Sequence, residues 1–443
     1  MLLQFKIKNY KSFMDETEFS MEAAPEQKGL DYSLCKVKFK KRTIKGLSSS
    51  VIYGPNAAGK TNIIGAMDTL RAIILRGNIR NAEEKGSPNP ASELLELIPN
   101  NTLDKTEPVE FGITFIEDKL IIRYELKLDL GKFLDNMHER KILKETLYVN
   151  ENLIFNREDT LTVQNLDVIK KYLSDSLNLA VDGIDQIAVN SLNREELFLM
   201  NGFKLLYSQN FVKLVSDWFL NKFMVICRAD SLQLIKRFSD PQKPTLYIEK
   251  TINQAAKLFG INSNAIGYEI GDDDANAKLC SIFKNDKSKK IATMAAELFE
   301  SYGTIRFINI FPLILKSILN GGTLIIDEFD ASIHPMALMN IINIFHNDDI
   351  NIHHAQLIFN THNPIFLNSN IFRRDEIKFV DRNDNTHLSE LYALSDFGTS
   401  GDIGVRNNDN YMQHYFVSKY GAIKDIDFTS IFEEIINSES VVE

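Results

Sequence analysis

The sequence predicts an α/β fold in which a mixed β-sheet surrounds a core of one loop and one helix. Three observations support this prediction. An apolar strand at 51–53 runs into a glycine-rich turn and then a helix-compatible stretch, and a second apolar strand at 323–326 ends in two carboxylates. Apolar and polar residues alternate over 1–19 and 36–44, which predicts an antiparallel β subdomain at the N-terminus. Helical spacing dominates 161–285, which predicts a helical insertion.

The composition is that of a soluble globular protein large enough for two or three domains. The chain has 443 residues, of which 44% are hydrophobic and 25% are charged. Its three cysteines lie far apart without a paired spacing, so we expect no disulfides or zinc site, and a reducing cytoplasm fits best. The N-terminus does not read as a signal peptide, and the longest apolar run, 307–319, is too short and too interrupted to span a bilayer. The net charge of −10 argues against broad attraction to nucleic acid.

The glycine-rich turn carries the strongest motif. It consists of Gly54, Pro55, Asn56, Ala57, Ala58, Gly59, Lys60 and Thr61, and it is followed by Asn62. Glycines let the backbone turn its amide N–H groups toward phosphates, the lysine adds a positive charge, and the threonine offers a hydroxyl to Mg²⁺. Apolar residues at helical spacing follow, so the loop lies at a helix N-terminus, which favours anions. The sequence therefore predicts a P-loop core that binds a nucleoside triphosphate with Mg²⁺.

Two acids complete the predicted metal site. Asp327 and Glu328 end the apolar strand at 323–326, which follows a Gly-Gly turn. A buried strand in this position brings Asp327 beside the P-loop, where it and Thr61 are predicted to hold Mg²⁺. Glu328 then points to the position of an attacking water and is predicted to act as general base.

A histidine is the third predicted catalytic group. His362 follows a further apolar strand at 356–359. A polar histidine at the end of a strand beside the acidic strand can reach the γ-phosphate. We therefore predict that Lys60, Glu328 and His362 share the catalytic work.

A second helix N-terminus lies just before the acidic strand. Ser301 and Gly303 begin an apolar helical stretch that runs to Leu319, and they are placed to receive phosphate oxygens. Two helix N-termini on opposite sides of a fold do not fit one γ-phosphate, so this second one would serve the nucleotide of a partner. The alternative is an ordinary capped helix with Ser301 as its N-cap.

A basic cluster in the second alternating segment has two interpretations. It consists of Lys36, Lys38, Lys40, Lys41, Arg42 and Lys45. Lysines on an edge strand commonly guard against aggregation. The alternative is a contact with DNA or with an acidic protein.

Together these motifs resemble the ABC-type ATPases of the SMC, RecF and OLD group. They most closely resemble the compact ATPases of bacterial antiphage operons such as the AbiL and PARIS (AriA) systems. The resemblance rests on the opening strand at 5–13, the P-loop, a signature at 301–306, an acidic strand with D-loop at 327–335, a switch at 361–362, and tail segments at 379–381, 394–397 and 420–422.

This resemblance implies an ABC-type ATPase head that binds ATP and Mg²⁺. It implies a homodimer or higher homo-oligomer in which two heads sandwich ATP, with Ser301 and Gly303 of one subunit closing on the nucleotide of the other. It also implies that Lys11 and Ser12 flank the phosphates and that Asn56 lies near the γ-phosphate. The implied domains are an ATPase N-lobe with the P-loop and the β subdomain (1–160), the helical insertion (161–285), and a C-lobe with signature, Walker B strand, D-loop and switch histidine (286–443).

The sequence departs from the pattern in two places. The signature reads Ser-Tyr-Gly-Thr instead of the Leu-Ser-Gly-Gly-Gln of transporters, which excludes membrane transport. His334 stands where many relatives carry an aspartate in the D-loop.

The leading hypothesis is a Mg²⁺-dependent ATPase that serves as sensor and regulatory subunit of an antiphage system. It would respond to a phage protein or DNA and control a separately encoded effector. OLD-type nucleases carry a TOPRIM domain after the ATPase, whereas only 81 residues follow His362 here, so any TOPRIM nuclease is expected on another chain. The alternatives are a RecF-like DNA-binding ATPase of repair or recombination and an ATP-binding scaffold with little turnover.

Overall fold

The computed structural model of the protein describes residues 1–25, 29–39, 42–80, 95–101, 107–135, 138–173, 181–190, 192–227, 245–248, 250–270, 278–285, 290–400, 404–424 and 427–439. The strands in these ranges are β1 (Leu2–Lys8), β2 (Thr17–Ser20), β3 (Leu34–Phe39), β4 (Arg42–Leu47), β5 (Ser49–Tyr53), β6 (Val109–Glu117), β7 (Leu120–Asp129), β8 (Lys141–Val149), β9 (Asn152–Arg157), β10 (Leu161–Val163), β11 (Phe223–Ile226), β12 (Thr245–Tyr247), β13 (Ala265–Ile270), β14 (Lys278–Lys284), β15 (Ile291–Ala295), β16 (Thr323–Ile326), β17 (Gln356–Asn360), β18 (Ile377–Arg382) and β19 (Ser389–Ala393). The α-helices are α1 (Lys60–Arg76), α2 (Val181–Asn190), α3 (Lys204–Leu206), α4 (Gln209–Asn221), α5 (Lys250–Phe259), α6 (Tyr302–Asn320), α7 (Pro335–Phe345), α8 (Tyr411–Phe416) and α9 (Thr429–Glu439).

A six-stranded mixed sheet positions the site, in the order β11-β16-β17-β5-β18-β19. Its first five strands are parallel, and β19 runs antiparallel to β18. β5, β16 and β17 are buried along their whole length, as parallel strands covered on both faces must be. This confirms the predicted mixed sheet. It also brings the carboxyl ends of β16, β17 and β5 side by side, and the three predicted motifs follow those ends.

Side chains alternate between the two faces of this sheet and enter two cores. Ile52 and Ile325 pack with α1, α4 and the antiparallel sheet of the N-terminal half. Val51 and Ile326, one residue away in each strand, pack with α6 and α7 on the opposite face. The period of two along each strand therefore determines which helix lies against which face.

The N-terminal half forms the predicted antiparallel subdomain. Seven strands pair in the order β10-β9-β8-β7-β6-β1-β2, and all the pairings are antiparallel. β3 and β4 form a separate two-stranded hairpin that leads into β5. The basic side chains of this hairpin that the structure describes are exposed, namely Lys36, Lys38, Arg42 and Lys45. Lys40 and Lys41 lie outside the described residues.

The segment 161–285 contains helices but is not purely helical. It holds α2 to α5, yet it also contributes β11 to the central sheet and three strands to a small antiparallel sheet, β12-β13-β14-β15. Strands such as β13 and β14 are stabilised by their neighbours, and helical periodicity in the flanking sequence does not reveal such pairing. The domain boundaries at 160 and 285 stay a prediction.

α6 is a core helix. Among the described helices it is long and apolar enough to cross a membrane, with a mean hydropathy of 1.3, but half of that stretch is buried. Ile308, Ile310 and Ile314 pack in the core beneath the central sheet. Its apolar composition is therefore explained by packing inside the protein.

Candidate functional site

The glycine-rich loop connects β5 to α1 at the carboxyl edge of the central sheet. Gly54 (φ +154°) and Gly59 (φ +115°) adopt backbone conformations that other residues rarely tolerate. A Cβ on Gly54 would lie 2.2 Å from the carbonyl oxygen of Val380, and one on Gly59 would lie 2.8 Å from the hydroxyls of Ser12 and Ser389. Both positions therefore need glycine for conformation and for space.

Lys60 bends back into this loop. Its Nζ donates to the carbonyl oxygens of Gly54 at 2.8 Å and Pro55 at 2.9 Å. Burial lowers the pKa of Lys60 to about 8, although the carboxylates of Asp327 and Glu328 act in the opposite direction. Phosphate oxygens can replace these two carbonyls as acceptors, so the ammonium group is already placed inside the predicted phosphate cradle.

Some of the remaining loop residues are exposed, and others contact neighbouring segments. Asn56, Ala57 and Thr61 are exposed, whereas Ala58 is buried. Asn62 lies in the first turn of α1, and its Nδ2 donates to Ser12 Oγ at 2.8 Å.

The structure separates the two residues that were expected to flank the phosphates. Ser12 lies at the loop, where a Cβ on Gly59 would meet its hydroxyl. Lys11 Nζ instead forms an ion pair with the Glu96 carboxylate at 2.5 Å and lies close to Gly65 of α1. A partly buried lysine forms an ion pair with a nearby carboxylate. Because Glu96 is distant in sequence, the residues around Lys11 do not predict this pair.

Asp327 lies beside the P-loop, as predicted. Its side chain is buried, and its Oδ1 accepts a hydrogen bond from Thr61 Oγ1 at 3.1 Å and another from Asn360 Nδ2. A carboxylate and a hydroxyl in contact offer the hard oxygen ligands that Mg²⁺ prefers. The donor set present here therefore fits the ion.

The main chain of Glu328 is held from both sides. Its N–H donates to Asn360 Oδ1, and its carbonyl oxygen accepts from the Arg306 guanidinium at 2.5 Å. Glu328 has a φ of +49°, a left-handed conformation that costs a non-glycine residue about 1–2 kcal/mol. These two contacts stabilise the unusual backbone and leave the carboxylate exposed at the mouth of the site.

His362 follows β17 and has an exposed side chain. Desolvation by the surrounding site and the positive charge of Lys60 lower the pKa of its imidazole, while the carboxylates of Glu328 and Asp327 act in the opposite direction. The histidine thus lies within electrostatic reach of all three groups. With its pKa below the usual 6.5, it is predominantly neutral at pH 7 and able to donate or accept a hydrogen bond.

The predicted signature begins α6. Ser301 is the N-cap of α6, and its side chain accepts a hydrogen bond from Thr304 N at 3.1 Å. Within one copy of the chain, Ser301 therefore caps its own helix. Gly303 is buried, and a Cβ there would lie 2.1 Å from the carbonyl oxygen of Ser332. Gly303 therefore allows the start of α6 to pack against the D-loop.

Sequence reasoning assigned no role to several residues that shape the site. Asn360 and Arg306 hold the acidic pair, as described above. The hairpin β18–β19 supports the P-loop, because Ser389 Oγ donates to Ala58 O at 2.5 Å and Arg382 donates to Ala57 O at 3.3 Å. The position of Asn360, a polar residue at the end of a buried strand and directly before Thr361, could have indicated a role in the site. Nothing in the local sequence of β18 and β19 predicts that they contact the P-loop.

Replacing Arg306 by methionine should reduce turnover more than nucleotide affinity. Methionine leaves the Glu328 carbonyl without its charged donor, which costs about 1.5–3 kcal/mol and corresponds to roughly a 10- to 100-fold loss in rate if it falls on the transition state. Steady-state kinetics measure kcat and KM separately, and thermal unfolding measures stability. A rise in KM with an unchanged kcat would contradict this positioning role, and Arg306→Lys should recover part of kcat.

Comparison of the chain with known proteins finds a matching family model and a similar solved structure. The family model described as "AAA domain, putative AbiEii toxin, Type IV TA system" matches residues 49–161 and 216–368, more than half of the chain. Among solved structures, the chain is similar to the SMC head domain from Thermotoga maritima, with 14% sequence identity and a TM-score of 0.34 over 88% of this chain and 98% of that one. Among curated proteins, none matches the chain.

Proposed function

The chain belongs to the family of AAA domains described as putative AbiEii toxin of type IV TA systems, and from this membership we propose that it is a Mg²⁺-dependent ATPase. One observation carries the proposal. The Thr61 hydroxyl and the Asp327 carboxylate, 266 residues apart in sequence, are in contact at the P-loop. This is the pair of oxygen ligands that a magnesium–triphosphate complex requires beside its phosphates.

The arrangement supports hydrolysis as follows. The loop amides and Lys60 would bind the β- and γ-phosphates, and Thr61 with Asp327 would hold Mg²⁺, which would supply positive charge to neutralise the triphosphate. Glu328 takes a proton from the water that attacks the γ-phosphorus, while the bond to the β-phosphate oxygen breaks and ADP leaves. We propose that His362 contacts the γ-phosphate or the phosphate released from it.

A second copy would close the site. Apolar side chains stand exposed next to the signature and the D-loop, including Tyr302 and Met336, which are each more than half exposed. Exposed apolar groups grouped around a site are commonly covered by another molecule. We propose that Ser301 of one copy meets the γ-phosphate bound by another copy, in addition to capping its own helix.

The biological role that we propose is regulatory. The family description refers to type IV TA systems. The resemblance to antiphage ATPases favours a sensor subunit that controls a separately encoded effector, for which we propose a TOPRIM nuclease, after a phage protein or DNA is detected. The AbiL-like or PARIS-like assignment belongs to this proposal.

Two linked experiments test the role. Purified full-length protein should release phosphate from ATP with Mg²⁺ and not with excess chelator. Bacteria carrying the gene together with its neighbouring gene should resist phage, and Lys60→Ala should remove the resistance. Nucleic acid cleavage by the purified chain alone, dependent on its own acids, would contradict a separate effector. Turnover that requires duplex DNA, with binding lost on neutralising Lys38 and Arg42, would favour the RecF-like alternative.

A further inference from the structure

The small sheet β12-β13-β14-β15 ends in an open edge. β15 is the last strand in this order, and among the described strands only β14 pairs with it. All five residues of β15 are exposed. Its outer edge therefore presents main-chain groups to solvent.

The hydrogen-bond pattern identifies which residues face outward. Asn285 N donates to Lys290 O, which makes 285 and 290 a hydrogen-bonded pair. Hydrogen-bonded and non-hydrogen-bonded pairs alternate along an antiparallel ladder. Following the register, Ala292 and Met294 bond to β14, whereas Ile291, Thr293 and Ala295 direct their N–H and C=O groups to the open edge.

This edge lacks the usual protections against pairing. Natural edge strands carry lysine, proline, a bulge or another charge that discourages a second strand. β15 reads Ile-Ala-Thr-Met-Ala, without charge or proline, and its register with β14 has no shift. Ile291 is 57% exposed, Met294 44% and the nearby Leu298 78%, so apolar surface accompanies the open backbone.

From these observations we propose that β15 pairs antiparallel with β15 of a second copy of this chain, without any need for nucleotide. Pairing centred on Thr293 places Thr293 opposite itself and Ile291 opposite Ala295. The outward groups then exchange main-chain hydrogen bonds along the whole strand. Because β15 is uncharged, self-pairing places no like charges opposite each other, and two four-stranded sheets become one continuous sheet.

The contact would lie close to the signature. β15 is separated from Ser301 by five residues, and the last of these, Glu300, is buried. The Glu300 carboxylate accepts from Ser263 Oγ at 2.7 Å and from Ser281 Oγ at 3.0 Å. Ser281 lies opposite Met294 in the β14–β15 register. Through these hydrogen bonds of Glu300, the paired sheets would contact the segment that precedes α6.

Light scattering of the nucleotide-free full-length protein over a range of concentrations tests the proposal. The unmodified chain should dimerise. Thr293→Pro should be monomeric, because proline removes an outward N–H and leaves the bonds of Ala292 and Met294 to β14 intact. Thr293→Lys should also be monomeric, since it places like charges opposite each other, and it serves as the second variant if proline disturbs folding. Thr162→Lys, an exposed threonine on the edge strand β10, should dimerise normally.

Cross-linking adds an independent measurement. Thr293→Cys should give a covalent dimer with a short bifunctional thiol reagent, whereas Thr162→Cys should give only the background of the three native cysteines. A monomeric unmodified chain, or a Thr293→Lys variant that still dimerises, would overturn the proposal. Lys60→Ala should dimerise without nucleotide like the unmodified chain, which separates a failure of this contact from a failure of the ATP site.

Discussion

Glu328→Gln should abolish turnover and leave ATP bound. Glutamine keeps the size of the side chain but cannot take a proton from water, so we expect kcat to fall by about 10² to 10⁴. The contacts that hold this residue, from Asn360 and Arg306, involve its main chain and are kept in the variant. Phosphate release measures the rate, and the nucleotide that remains with the protein after gel filtration measures trapping.

Asp330→Asn is the matched control for this variant. Asp330 is a neighbouring carboxylate whose charge also reaches Lys60 and His362. If proton transfer is specific to Glu328, neutralising Asp330 should change kcat far less. An unchanged rate in Glu328→Gln would instead support the scaffold with little turnover.

Lys60→Ala should lose nucleotide binding itself. Lys60 is the cation inside the loop, already held against the carbonyls of Gly54 and Pro55. A hydrogen bond from a charged group contributes about 1.5–3 kcal/mol, and one ammonium reaching two phosphates makes several. We therefore expect calorimetric affinity for ATP to fall at least about 100-fold, with turnover lost in parallel.

Lys11→Ala is the control for the lysine variant. Lys11 is paired with Glu96, so its removal should have a small effect on ATP affinity. An equally large loss would mean that Lys11 leaves Glu96 to flank the phosphates, as the family resemblance implies. Comparing the ATP affinities of Lys60→Ala and Lys11→Ala thus distinguishes the Lys11–Glu96 ion pair from the phosphate-flanking position that the resemblance implies.

The sequence was most informative where chemistry is encoded in a short segment. The P-loop, its helix and the acidic strand could be recognised because glycines, a lysine and an apolar run have fixed spacing. The antiparallel subdomain could be expected because apolar and polar residues alternate along the first strands of the chain. In each case neighbouring residues carry the pattern.

What sequence missed depends on contacts between distant segments. Arg306 was expected only as the last residue of the signature segment, without a role of its own, yet it is buried and bonds to the turn after β16. In the small sheet, β13 and β14 contain glycine or lysine, which have no strong strand preference, so their pairing decides their structure. Lys11 was assigned its role by resemblance; in the structure it contacts Glu96, 85 positions away in sequence, and the role beside the phosphates stays a prediction.

The supporting hairpin β18–β19 has a practical consequence for dissecting this protein. Ser389 reaches the backbone of Ala58 across 331 positions, and Val380 fills the space that a side chain on Gly54 would need. A fragment cut after residue 368, where the family match ends, would retain the P-loop, the signature, the acidic strand and His362 but would lack these supports. Such a fragment would contain the complete ATP-binding motif but not the contacts that hold the P-loop in its conformation. Its inactivity would therefore not show that the intact protein is inactive.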